Sequence, residues 1–141
     1  MYEQLKISNQ LCFPLYVCSK EIVRKYKPFL DELDLTYTQY ITMMVFWEKK
    51  KMNTKELGEI LFLDSGTLTP VLKRLEAKGF ITRERSPEDE RNLLVKITEA
   101  GEQLQEQAKD IPQKISCCFN LSKEDAMTLY NILHKITEQV K

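Results

Sequence analysis

The clearest periodicity in the chain lies in its middle. Leu68, Val71, Leu72 and Leu75 recur at helical spacing and form one apolar stripe. The other face carries Ser65, Thr67, Thr69, Lys73 and Arg74. Asp64 or Ser65 can cap the start of this helix, because a short side-chain oxygen there accepts from a free backbone N–H. A shorter helix over residues 55–61, capped by Asn53 or Thr54, precedes it. Two short helices joined by a tight polar turn read as a helix-turn-helix. Lys78 closes the second helix and Gly79 stops it. The pattern then changes. Residues 80–85 read as a strand, 86–91 as a polar turn around a proline, and 92–97 as a second strand with Leu93, Val95 and Ile97 on one face. A helix-turn-helix followed by a β-hairpin predicts a winged helix, mainly α with a small hairpin wing.

Longer helical patterns flank this centre. Residues 5–26 show Leu11, Leu15, Cys18 and Ile22 on one face, widened by Phe13, Tyr16, Val17 and Val23. A helix apolar over so much of its circumference needs burial on more than one side, which fits a dimer interface. Pro14 is expected to kink it. Residues 27–34 read as a connector with a helical turn. A helix over 35–49 follows, with Thr36 as its cap and Tyr40, Ile41, Met44, Val45 and Trp47 buried; Lys49, Lys50 and Lys51 read as its solvated end. A long helix is expected over 98–119 with a bend at Pro112. A last one over 121–140, capped by Ser122, repeats Ala126, Leu129, Tyr130, Leu133, Ile136 and Val140 at helical spacing.

Composition adds limits more than direction. The 141 residues predict one domain, and the formal net charge is zero. Bulk charge therefore does not announce a nucleic-acid partner, and any attraction must be local. Between residues 65 and 85, five cations (Lys73, Arg74, Lys78, Arg83, Arg85) stand against two anions, Glu76 and Glu84. Glu88, Asp89 and Glu90 reverse that sign at the expected wing tip. No apolar run approaches the roughly 20 residues of a membrane span. The polar start does not read as a signal peptide, so a cytoplasmic location with reduced cysteines is expected. A single histidine, His134, and the lack of any Cys-x-x-Cys pair argue against a metal site. Four glycines supply no phosphate loop, and no Ser/His/Asp set can be drawn. No cofactor is expected.

Two features carry candidate chemistry. The hydroxyls and cations on the helix at 65–76 suit phosphates and base edges. An ordinary amphipathic helix with a solvated polar face accounts for that stretch equally well. Cys12 sits early in the first helix. A thiol near a helix N-terminus and near phenol donors has its thiolate stabilised, and the thiolate is the nucleophile toward peroxide. The alternative is that Cys12 is a small buried hydrophobe.

The motifs together resemble a known family. Leu-Asp-Ser-Gly-Thr-Leu-Thr-Pro-Val-Leu-Lys-Arg-Leu-Glu-Ala-Lys-Gly (63–79), Arg-Ser-Pro-Glu-Asp-Glu-Arg-Asn (85–92) and Ile-Thr-Glu-Ala-Gly (97–101) look like the MarR family of bacterial repressors. Asn-Gln-Leu-Cys-Phe (9–13) and Leu-Thr-Tyr-Thr-Gln-Tyr (35–40) resemble its organic hydroperoxide regulator branch. The resemblance runs from about residue 5 to 115. It implies a winged-helix homodimer formed through the N- and C-terminal helices, about 5–34 and 99–141, with a DNA-binding winged helix over about 35–98. It implies a repressor, not an enzyme, on a pseudo-palindromic operator. DNA contacts would come from Ser65, Thr67, Thr69, Pro70, Lys73, Arg74, Arg83 and Arg85, and from Arg91 oriented by Asp89. Cys12 would sense the oxidant, supported by Tyr16 and by Tyr26 and Tyr37 of the partner subunit. A disulfide to Cys117 or Cys118 of the other subunit would follow, Cys18 remaining structural. Two further readings stay open: a repressor released by a small phenolic ligand, and a thiol peroxidase.

Overall fold

A computed structural model describes residues 1–85 and 92–141. It contains two compact units, Met1–Ile111 and Pro112–Lys141.

The first unit opens with two 3-10 turns, Glu3–Leu5 and Ile7–Asn9. Helix α1 follows, Cys12–Asp31. The first helix thus begins seven residues later than its apolar pattern predicts and absorbs most of the expected connector. The Asn-Gln pair accounts for the late start. The Asn9 amide donates to the Glu3 carbonyl at 2.7 Å, and Gln10 donates to the Gln4 and Lys6 carbonyls at 2.9 and 2.8 Å. These bonds tie the arm into turns of its own. The expectation for Pro14 is corrected as well. It lies in the first turn of α1, where a backbone N–H has no intrahelical partner to lose.

A corner at Leu33–Leu35 leads into α2, Tyr37–Lys49. Thr36 caps it through a complete capping box, its hydroxyl accepting from Gln39 N while Gln39 Oε1 accepts from Thr36 N. The buried face of α2 is Tyr40, Met43 and Phe46; Met44 is exposed, and Ile41, Val45 and Trp47 are half-buried. Of the five residues expected to be largely buried, only Met44 departs, while Met43 and Phe46 join the core.

The three lysines do not simply end α2. Lys50 turns the chain with φ 68°, and Lys51–Asn53 forms β1. Helix α3 spans Thr54–Leu61 with Asn53 as its cap, and α4 spans Ser65–Ala77 with Asp64 as its cap. Strands β2, Ile81–Arg85, and β3, Leu93–Ile97, pair antiparallel in the register Ile81↔Ile97, Arg83↔Val95, Arg85↔Leu93. β1 adds to the other edge of β3, Met52 opposite Val95, and the order among the described residues is β1-β3-β2. The third strand was not anticipated; a run of lysines carries no strand signal. The wing tip, residues 86–91, with Asp89 and Arg91, lies outside the described residues.

Leu57, Leu68, Val71, Leu72, Leu75, Ile81 and Val95 form the core with the α2 residues. Every member of the apolar stripe on α4 is buried, as its spacing predicts. Beyond the sheet, the expected long helix is broken into α5 (Glu99–Gln103), α6 (Gln105–Ala108) and α7 (Ile111–Ser116). Trp47 ties α2 to α5, its indole donating to the Gly101 carbonyl at 2.9 Å.

In the second unit, α8 spans Lys123–Gln139 and Ser122 caps it by accepting from Asp125 N. None of its residues is buried, including Leu129, Leu133 and Ile136 of the predicted stripe.

Candidate nucleic-acid interface and thiol site

Two surfaces stand out, and each begins at a helix N-terminus. The first is α4. Asp64 accepts from Thr67 N at 2.8 Å, and this bond holds its carboxyl below the usual range. The positive end of the helix is thereby occupied by the chain's own carboxylate. Ser65, Thr67, Thr69, Pro70, Lys73 and Arg74 are all exposed on the side away from the core. Pro70 lacks the N–H that would close onto the Gly66 carbonyl, which adds one acceptor to that face.

The cations counted in the sequence separate into two groups. Lys73, Arg74 and Arg85 are exposed. Arg83 does not join them. Its side chain is 17% exposed, its Nη2 donates to Glu76 Oε1 at 3.0 Å, and its backbone N donates to Glu76 Oε2 at 3.2 Å. Arg83 thus clamps β2 onto α4. The guanidinium holds the Glu76 carboxyl below its ordinary range. Lys78 turns toward the α1–α2 corner, where the Asp34 carbonyl and Gln39 Oε1 accept from its ammonium group. The Arg83 pairing carries no sequence signal stronger than opposite charge seven residues away, and the Lys78 contacts, 44 and 39 residues away, carry none.

The second surface is the start of α1. Cys12 is the first residue of a helix of 20 residues, Cys12–Asp31, with no acid in its first turn and no side-chain cap at Leu11. No carboxylate therefore shares the first turn of α1 with the thiol. Cys12 is exposed in the protomer, and so are Leu11, Phe13, Leu15 and Tyr16 around it. Cys18, expected among apolar neighbours, is also exposed. Tyr16 lies one turn beyond Cys12, with Lys20 Nζ 5.3 Å from its ring centroid.

Tyr26 and Tyr37 meet where α1 and α2 pack, with ring centroids 5.0 Å apart. Tyr40 completes the group at 5.7 Å from Tyr26 and 6.3 Å from Tyr37. Burial, then the neighbouring phenols, push the Tyr26 hydroxyl up to about 12, and burial raises Tyr37 and Tyr40 too. All three phenols stay protonated near neutral pH and remain donors. Tyr40 belongs to this cluster but was read from the sequence only as core. Its place two turns before the Trp47 anchor was the available signal.

Cys117 and Cys118 lie just past α7, in the second unit, and are exposed. Their sulfurs project differently: Gln113 Nε2 lies 3.8 Å from Cys117 Sγ, whereas Cys118 Sγ contacts the Lys114 carbonyl at 3.3 Å.

A capped helix-turn-helix, a three-stranded antiparallel sheet and an exposed hydroxyl-and-cation helix define the winged helix-turn-helix class. Comparison with known proteins narrows it. The family described as transcriptional regulator SarA/Rot matches residues 24–108. The organic hydroperoxide resistance transcriptional regulator of Bacillus subtilis (strain 168) is 47% identical over 137 residues, covering 97% of this chain and 93% of that protein. The structure of reduced AbfR bound to DNA superposes with a TM-score of 0.81 at 33% identity, covering 98% of this chain and 94% of the other. The structure of disulfide-formed AbfR superposes with a TM-score of 0.63 at 35% identity, covering 98% and 92%. The chain belongs to the SarA/Rot family of transcriptional regulators, within the organic-hydroperoxide-regulator-like branch of the MarR regulators.

Proposed function

We propose that the chain is a homodimeric repressor that leaves its operator when an oxidant reaches Cys12. The observation that carries this reading is the pairing of two exposed helix starts in one chain: α4 with its hydroxyls and cations, and α1 with an accessible thiol on an apolar surface. The names of the relatives support it, one an organic hydroperoxide resistance regulator and another solved both reduced on DNA and as a disulfide.

In this reading, α1 and α8 associate with their counterparts in a second subunit. That covers Leu11, Phe13, Leu15, Leu129, Leu133 and Ile136, which the protomer leaves exposed. A two-fold axis then sets two α4 helices into successive major grooves of a pseudo-palindromic operator. Ser65, Thr67, Thr69, Pro70, Lys73, Arg74 and Arg85 contact phosphate and base edges, while Arg83 acts by holding β2 to α4. Asp89 and Arg91 would add the wing contact.

The Cys12 thiolate attacks one oxygen of an organic hydroperoxide. A sulfur–oxygen bond forms, the peroxide bond breaks, and the alcohol leaves with a proton; the sulfur is oxidised to sulfenic acid. Cys117 or Cys118 of the other subunit then attacks that sulfur, a disulfide forms and water leaves. Tyr16, and Tyr26 and Tyr37 donated from across the interface, orient the thiolate. Each disulfide consumes one oxidant, and in this reading its formation serves to release DNA and not to turn over hydroperoxide. Reduced thiols fit a cytoplasmic location, and no helix among the described residues is long and apolar enough to cross a membrane.

Loss of several phosphate and base contacts would lower operator affinity on the order of 10³-fold. Binding of wild type and Cys12→Ser to operator DNA, with and without an organic hydroperoxide, tests this. Wild type is expected to dissociate and Cys12→Ser to remain bound. Equal release of both would remove Cys12 from the mechanism.

A further inference from the structure

The C-terminal end of α4 is fastened to the corner that carries the phenols, and one side chain makes the connection. Lys78 is part of α4 through its backbone, its N–H donating to Arg74 O and Glu76 O. Its ammonium group leaves the helix and donates to the Asp34 carbonyl and, at 3.3 Å, to Gln39 Oε1, with the Asp34 carboxylate 3.5 Å away.

Both acceptors are held firmly by their own surroundings. Asp34 sits at φ 54°, in the left-handed region, between the buried Leu33 and Leu35. Its N–H bonds to Asp31 O at 3.1 Å, and the Leu33 and Leu35 N–H groups share the Leu30 carbonyl. Gln39 is 3% exposed, and its Oε1 also accepts from Thr36 N in the capping box of α2. The same oxygen therefore fixes the start of α2 and receives Lys78.

Tyr37 is the first residue of α2, and Tyr40 follows within its first turn. Tyr26 packs on both rings from α1. A shift of Tyr37 cannot leave the Thr36–Gln39 box unmoved, and that box holds Lys78. An ordinary surface ion pair would transmit nothing of the kind, because exposed partners move apart at little cost. Here the Asp34 carboxylate is 95% exposed and adds little, while the backbone carbonyl and the buried amide oxygen supply fixed anchors.

We propose that Lys78 is a positioning residue that couples the Tyr26–Tyr37–Tyr40 cluster to α4, so that the recognition helix follows the α1–α2 corner when the thiol switch moves it. This rests on the reading that oxidation at Cys12 acts on those phenols. Lys78 then does not serve DNA as a phosphate contact, although its charge and position invite that assignment.

Lys78→Met keeps the aliphatic stem and removes the donors; Gln39→Met removes one acceptor at similar volume. Operator affinity is measured before and after an organic hydroperoxide, with Cys12 oxidation followed by mass spectrometry in the same samples. Lys78→Met is expected to bind operator in its reduced form within about threefold of wild type and to oxidise at the same rate. Oxidation should then weaken its binding by less than about threefold, where wild type loses on the order of 10³-fold. Gln39→Met should show the same uncoupling and Lys78→Arg should restore most of the response. Full release of oxidised Lys78→Met overturns the coupling while leaving the redox reading intact. Failure of wild type to release overturns that reading itself. Loss of folding in both Met variants, or loss of operator binding by reduced Lys78→Met, would make Lys78 a structural or contact residue and also overturn it.

Discussion

The clamp between Arg83 and Glu76 fixes how the wing strand meets α4, and breaking it has a size that can be worked out. Arg83 keeps 17% of its side-chain exposure, and its Nε is buried without a hydrogen-bond partner among the described residues. Glu76→Ala removes the acceptors of the Arg83 Nη2 and backbone N bonds together. Bonds to a charged group contribute about 1.5–3 kcal/mol each when shielded from water. Glu76 is 39% exposed, so solvent screening reduces the pair well below that sum. A cost of about 1–2 kcal/mol follows, or a Tm lower by about 3–8 °C for a chain of this size. Thermal unfolding of Glu76→Ala, Arg83→Ala and the double variant isolates the pair. The pH dependence gives a second reading. The Arg83 hydrogen bond lowers the Glu76 carboxyl from 4.5, so its stabilisation is complete above that value and fades as pH falls below it. The difference between wild type and Glu76→Ala should therefore shrink under acid. A coupling within about 0.3 kcal/mol of zero, or a difference insensitive to acid, would refute the clamp.

Other predictions concern Gly101, the phenols and the late cysteines. A Cβ at Gly101 would collide with the Phe80 carbonyl oxygen and lie 2.8 Å from Ile97 Cγ1, so Gly101→Ala should destabilise by about 2 kcal/mol or more, read by denaturant unfolding. An unchanged midpoint would contradict that packing. Tyr26 is raised to about 12, so the folded protein binds its proton more tightly than the unfolded chain does. Its contribution to stability is present below about pH 10 and is lost as pH rises toward 12. Tyrosinate absorbance of Tyr26→Phe against wild type checks this; ionisation of Tyr26 at the ordinary pH would contradict it. Hydroperoxide-treated wild type should run as a covalent dimer on a non-reducing gel, and Cys117→Ser should abolish that band. Persistence of the band in Cys117→Ser and its loss in Cys118→Ser would assign the bond to Cys118.

The winged-helix centre was legible because several local rules agree there. Of the two cap candidates at each helix start, Asp64 and Asn53 make the bond, and Leu68, Val71, Leu72 and Leu75 are buried as their spacing requires. The first helix was misplaced because apolar residues from 5 to 11 continue its period. The interruption comes from Asn9 and Gln10 bonding back to carbonyls, which periodicity does not see. β1 was missed because a lysine-rich segment reads as solvated, while its pairing with β3 depends on the backbone. Cys12 was singled out by its place early in a helix and by the family resemblance, Tyr26 and Tyr37 by the resemblance alone. The roles of Arg83 and Lys78 depend on partners seven and 44 residues away; charge placed both in the local cation excess, and only Arg83 among the expected DNA contacts.

In the proposed switch, oxidation of one sulfur governs operator occupancy. The direct measurement is a titration of operator-bound protein with an organic hydroperoxide, recording the fraction released and, by mass spectrometry, the oxidised fraction at each of the four cysteines. Release is expected to rise in step with modification of Cys12 and to stay at zero until Cys12 reacts. Release that runs ahead of Cys12 oxidation, or Cys12 oxidised to completion on protein still bound to operator, would contradict it.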